Sequence, residues 1–169
     1  SANTLTIKNL SLSTGGANTI IESGISGLTI KIDGTLTLNL LASKVENGID
    51  LGKARTNYGI AVTADTTICG ANNSADKDSI IIKSQSVGVD DTEYDDGTTR
   101  VGIRPISGAK LTMKNLTVSM TDNSTGSYAG HASMIRAVAA LNISGCKLVV
   151  NKCQYGVFVD NYTPVTITD

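Results

Sequence analysis

A short alternating triplet, apolar–Thr/Asn–apolar, recurs along the chain and sets its organisation. It reads Leu5-Thr6-Ile7, Leu28-Thr29-Ile30, Leu111-Thr112-Met113, Leu141-Asn142-Ile143 and Val165-Thr166-Ile167, with Thr66-Thr67-Ile68 as a sixth copy that opens on Thr. The copies begin 23 to 45 residues apart. Period-2 alternation predicts strands with one buried face. A unit of variable length repeated six times predicts a solenoid, in which each turn buries its apolar face against the next.

Each interval carries two further strand signals. Second strands are expected around Leu10 and Leu12, Leu36-Thr37-Leu38, Ile80-Ile81-Ile82, Leu116-Thr117-Val118 and Leu148-Val149-Val150. Third strands are expected at Ile20-Ile21, Gly59–Val62, Gly102–Arg104, Met134–Arg136 and Gly156–Val159. Two residues after the triplets stand Asn9, Ile32, Gly70, Asn115, Gly145 and Asp169. Gly, Asn and Asp tolerate the left-handed backbone of a sharp bend. Ile32 is the exception, and Asp33-Gly34 directly after it predicts a bend displaced by one or two residues.

These signals give an all-β fold, a solenoid of about five turns, with three short strands in each. Residues 1–169 form one domain, expected to be excised from a longer protein because no amphipathic cap covers either end. Long insertions decorate turns two to four. Residues 41–57 place Leu41, Val45, Ile49 and Leu51 at positions suited to a short helical cover, which Gly48 and Gly52 weaken. The others are 71–78, 84–99 and 121–133.

Composition agrees with a narrow stacked core. The 169 residues include 17 Gly, 2 Pro, no Trp and one Phe, so small β-branched residues must fill the interior. The net charge of −1 gives no electrostatic basis for nucleic-acid binding. No apolar run reaches membrane-spanning length, so no membrane insertion is expected. Cys69, Cys146 and Cys153 lack CxxC spacing and are expected to be unpaired, with a Cys146–Cys153 bridge as the alternative.

The strand–bend–strand segments Ile7-Lys8-Asn9-Leu10 and Met113-Lys114-Asn115-Leu116 resemble those of right-handed parallel β-helices of the pectate-lyase-like superfamily. Within that group the chain most resembles a non-catalytic bacterial surface or adhesin segment. The resemblance implies architecture over the whole chain and leaves activity open, since the fold hosts lyases, hydrolases, tailspikes and adhesins.

Candidate chemistry is sparse. Asp90, Asp91, Glu93, Asp95 and Asp96 cluster hard oxygen donors in one loop, making calcium the only cofactor to consider. If Ile103, Ile135 and Val157 point inward, then Arg104, Arg136 and Phe158 form an outward track able to hold an acidic sugar or a peptide. Tyr58, Tyr94 and Tyr128 are candidate anchors for a partner, although Tyr58 and Tyr155 each precede a Gly and also suit a structural role. Asp65 and Asp160 lie three turns apart, too far to share a glycosidic bond as acid and base. His131 lacks a partner carboxylate pair. An outward Thr column over Thr6, Thr29, Thr67, Thr112, Asn142 and Thr166 is explained by strand preference.

The expected function is non-catalytic binding or adhesion by a bacterial extracellular or wall-attached protein. The expected partners are a host or environmental glycoprotein, an immunoglobulin or a polysaccharide, with end-to-end self-association as a further option. A lyase or glycoside hydrolase acting on acidic glycans is the alternative, and ice binding is third.

Overall fold

A computed structural model describes residues 3–14, 19–43, 45–46, 49–50, 57–87, 100–124, 132–159 and 164–169. The described residues are all strand, bend and turn, with no helix. Among the described residues two curled parallel sheets, in a β-helix-like arrangement, are accompanied by one short antiparallel strand pair. Sheet A contains β1 (Thr4–Ser13), β3 (Leu28–Ser43), β7 (Thr66–Gly70), β8 (Ser79–Val87), β10 (Leu111–Lys114), β11 (Thr117–Asp122), β13 (Leu141–Ser144), β14 (Lys147–Asn151) and β16 (Val165–Thr168). Sheet B contains β2 (Thr19–Ser23), β6 (Asn57–Val62), β9 (Arg100–Pro105), β12 (Ala132–Ala137) and β15 (Tyr155–Val159).

The order of sheet A follows the sequence repeat. Through the triplets it runs β1–β3–β7–β10–β13–β16, and through the second strands it runs β3–β8–β11–β14. Both runs share one sheet because β1 and β3 pass through the bend without a break, where separate first and second strands were expected. Leu28 pairs with Thr66, Thr66 with Leu111, Leu111 with Leu141 and Leu141 with Val165, as the triplet alignment requires.

The first triplet departs from that alignment. Leu5 pairs with Ile30 and Ile7 with Ile32, so Leu5-Thr6-Ile7 stacks two residues further along β3 than on Leu28-Thr29-Ile30. The cause is the displaced bend. Gly34 has φ 86° and Asn9 has φ 43°, and β1 aligns bend to bend while β7 aligns triplet to triplet. Asn115 and Gly145 also take positive φ at their expected bends, whereas in the 71–78 segment the positive φ falls on Asn73. At Gly34 a side chain would collide with the Asn9 carboxamide, which instead accepts from the Thr35 N–H at 3.1 Å.

The core is aliphatic. Ile30, Ile68, Met113 and Ile143 form one inward column and Leu38, Ile82 and Met120 another, all essentially inaccessible to solvent. The described aromatic residues lie outside this cluster. At the edge strands the same columns emerge into solvent: Leu5 is 43% exposed and Ile167 is 61% exposed.

The 41–57 insertion corrects the helical reading. Val45–Glu46 (β4) and Ile49–Asp50 (β5) pair antiparallel. The sequence signal for this was Asn47-Gly48, a preferred two-residue hairpin connection. Two insertions are also narrower than expected, because β8 extends to Val87 and β11 to Asp122.

Candidate functional site

The outward side of sheet B carries the densest chemistry among the described residues. Ile60, Ile103 and Ile135 pair in register and lie fully inside. The next positions form a column of Glu22, Ala61, Arg104, Arg136 and Phe158, through the pairs Glu22–Ala61, Ala61–Arg104 and Arg136–Phe158. Arg104 and Arg136 follow the paired Ile103 and Ile135 directly, which makes them neighbours on adjacent strands.

Strict alternation fails just before this column. Met134 and Ile135 are consecutive, yet both belong to the buried core. On the neighbouring strands the Met134 position is glycine, at Gly59, Gly102 and Gly156. A Cβ at Gly102 would meet the Met134 carbonyl oxygen at 2.6 Å, so the backbones approach too closely there for a side chain. With two consecutive residues turned inward, Tyr58 falls on the same outward side as Arg104, three positions along.

The side chains use that geometry. The Arg104 guanidinium carbon lies 5.2 Å from the Tyr58 ring centroid, and Nη1 donates to the Tyr58 hydroxyl at 3.2 Å. Arg136 lies 5.1 Å from the Phe158 centroid. Tyr155 packs on Phe158 with centroids 4.9 Å apart and ring planes 51° apart. Cation–ring contact holds each guanidinium in place while leaving its charge intact. The structure therefore brings together Tyr58, Arg104, Arg136 and Phe158, and adds Tyr155. The remaining proposed anchors Tyr94 and Tyr128, the acidic residues Asp90, Asp91, Glu93, Asp95 and Asp96, and also His131 and Asp160 lie outside the described residues. Among the described residues no group of three His, Cys, Asp or Glu side chains is placed to hold a metal ion.

Two buried polar centres were missed from sequence. Arg100 and Asp122 form a fully buried ion pair, Nη2 to Oδ2 at 3.2 Å, and Asp122 Oδ1 also accepts from the Ser84 hydroxyl at 2.9 Å and the Ser124 hydroxyl at 2.7 Å. Burial lowers the Arg100 guanidinium from its ordinary value, and the Asp122 carboxylate opposes that shift. Asp78 is also buried and accepts from the Gly34 N–H at 2.9 Å, the Asn72 N–H at 2.7 Å and the Asn72 amide at 2.8 Å. Burial pushes the Asp78 carboxyl up, but these donors together with Lys77 outweigh it and leave its pKa below the usual carboxylate range. Neither centre had a sequence signal, because each pairs residues from different strands or turns with no local motif.

The three cysteines are free and half-buried. Burial pushes the Cys146 and Cys153 thiols up, which leaves them poorly nucleophilic.

The Thr column begins two residues earlier than expected, at Thr4 in place of Thr6. Thr4 pairs with Thr29, followed by Thr67, Thr112, Asn142 and Thr166, while Thr6 heads the next outward column with Lys31, Cys69, Lys114, Ser144 and Thr168. The lysines interrupt any regular two-column hydroxyl surface.

Comparison with protein-family models, with curated proteins and with solved structures finds no match to this chain.

Proposed function

We propose that the two sheets are the walls of a right-handed parallel β-helix of about five turns, of the pectate-lyase-like kind, and that the chain is a non-catalytic binding module. It engages a protein or glycan partner through the outward side of sheet B, as part of a bacterial secreted or wall-attached protein. The observation that supports this reading is the pair of ring-stacked arginines on adjacent strands. Arg104 on Tyr58 and Arg136 on Phe158 present charge and apolar surface together, the combination that recognition surfaces favour. Hydrolysis of a glycan needs an acid and a base flanking one bond, and among the described residues the only carboxylate in this column is Glu22, two strands from Arg104.

A single array tests the reading. Glycoproteins, immunoglobulins, mucins and polysaccharides are probed for binding and for released sugar ends, with and without calcium. Binding that drops about tenfold or more in Arg104→Ala or Phe158→Ala, without release of sugar ends, is the expected result. Release of unsaturated or reducing ends would replace this reading with the enzymatic one.

A further inference from the structure

Strand β1 forms one end of sheet A, and β3 is the only described strand paired with it. Backbone bonds fix which way its groups point. The Asn3 carbonyl accepts from the Thr29 N–H at 2.8 Å, and the Thr14 N–H donates to the Asn39 carbonyl at 3.0 Å. Alternate residues of a parallel ladder bond to the same neighbour, so Leu5, Ile7, Leu10 and Leu12 bond to β3. Thr6, Ser11 and Ser13 turn their N–H and C=O groups to the opposite edge. The four apolar residues point inward in line with Ile30, Ile32, Leu36 and Leu38, yet Leu5 and Leu10 remain exposed. An exposed edge of this length is a template for another strand.

The pattern of β1 selects that strand. The bend at Asn9 shifts the phase, so the inward residues Leu5, Ile7, Leu10 and Leu12 stand symmetrically about it. Read backwards, β1 repeats its own order of inward and outward positions. We propose that the open edge of β1 is a self-association surface, taken by β1 of a second copy in antiparallel pairing about a two-fold axis between Lys8 and Asn9. In that register Thr6 lies opposite Ser11 of the second copy, and both aim N–H and C=O across the interface, as a hydrogen-bonded pair requires. Leu5 lies opposite Leu12 and Ile7 opposite Leu10, which covers the exposed leucines with apolar surface. The two bends coincide. A shift of one residue would set leucines against hydroxyl residues, and a shift of two would put the bends out of line. The two Lys8 side chains come near the axis, each neutralised by its own Asp33 at 3.1 Å. A cavity of about 370 Å³ walled by Leu5, Ile21, Ile25, Leu28 and Ile30 opens at this end, and the two-fold sets two such mouths face to face. A two-fold contact is isologous and stops at two copies. It makes no use of the outward side of sheet B, so it stands or falls separately from the binding face.

The test is sedimentation velocity on the intact chain, from about 1 to about 300 μM. The expected result is a dimer that grows in with concentration, with nothing larger. Thr6→Pro removes an N–H from the open edge without touching the ladder to β3, and Leu10→Lys sets a charge in the apolar row. Each variant is expected to weaken the dimer about tenfold or more while keeping the circular-dichroism spectrum of the parent. A second measurement does not depend on those variants. With the three native cysteines replaced by Ser, a Thr6→Cys chain mixed with a Ser11→Cys chain should form an intermolecular disulfide that neither chain forms alone. A monomer throughout the range would overturn the proposal, and so would growth into ever larger species, which marks head-to-tail stacking. A dimer that Ile167→Lys dissolves and Thr6→Pro leaves intact would place the contact at the opposite end of the sheet and overturn it as well.

Discussion

At the scale of single residues, the two buried carboxylates make opposite demands. Asp122 lies fully buried against Arg100, so removing one partner strands a charge where water cannot reach it. Arg100→Met or Asp122→Leu alone is expected to cost about 3–5 kcal/mol in chemical denaturation. The double replacement should recover most of that loss, because two apolar side chains leave no buried charge. Asp78 instead acts as an acceptor for backbone donors. Asp78→Ala leaves the Gly34 and Asn72 N–H groups unsatisfied, at about 1–3 kcal/mol. Its folded pKa is depressed, so its stabilisation is complete above the ordinary carboxylate value of about 4 and disappears as pH falls through the lower folded value. Urea midpoints measured from pH 6 down to pH 2 should fall more steeply for the parent chain than for Asp78→Ala.

At the scale of strands, the recurring triplets made most of the pairing legible, because side chains alternate strictly and apolar columns must coincide. The register of β1 was not legible from the triplets. The bend at Gly34 comes two residues late, and the bend-to-bend match between Asn9 and Gly34 prevails over the match of Leu5 with Leu28. The displaced Asp33-Gly34 was visible in the sequence; its effect on pairing depended on which neighbour β3 would follow. The Arg104–Arg136–Phe158 alignment was legible because Ile103, Ile135 and Val157 mark the inward phase. The approach of Tyr58 to Arg104 was not, since it depends on two consecutive inward residues. That departure makes a prediction. Gly102→Ala places a Cβ against the Met134 carbonyl and the Ile82 side chain, and should destabilise the protein by about 1–3 kcal/mol while also separating the Tyr58–Arg104 contact. The denaturation midpoint reports the first effect, and the Tyr58 ring resonances report the second.

At the scale of the whole molecule, every functional statement depends on strands laid side by side in one direction. The parallel pairing of β9 with β12 places Arg104 beside Arg136, and a linear stack keeps the first and last strands apart. The triplet strands run β1–β3–β7–β10–β13–β16, so Thr4 and Thr166, both exposed and in one column, are separated by five strand spacings. Five spacings amount to about 24 Å. Spin labels at Thr4→Cys and Thr166→Cys, with the three native cysteines replaced by Ser, allow that distance to be measured by pulsed electron resonance. With labelled chain diluted in unlabelled chain, a single population centred near 24 Å, within the reach of the label tethers, is the predicted result. A separation under about 15 Å would mean that the first and last strands close on each other as in a barrel, and would contradict the linear stack.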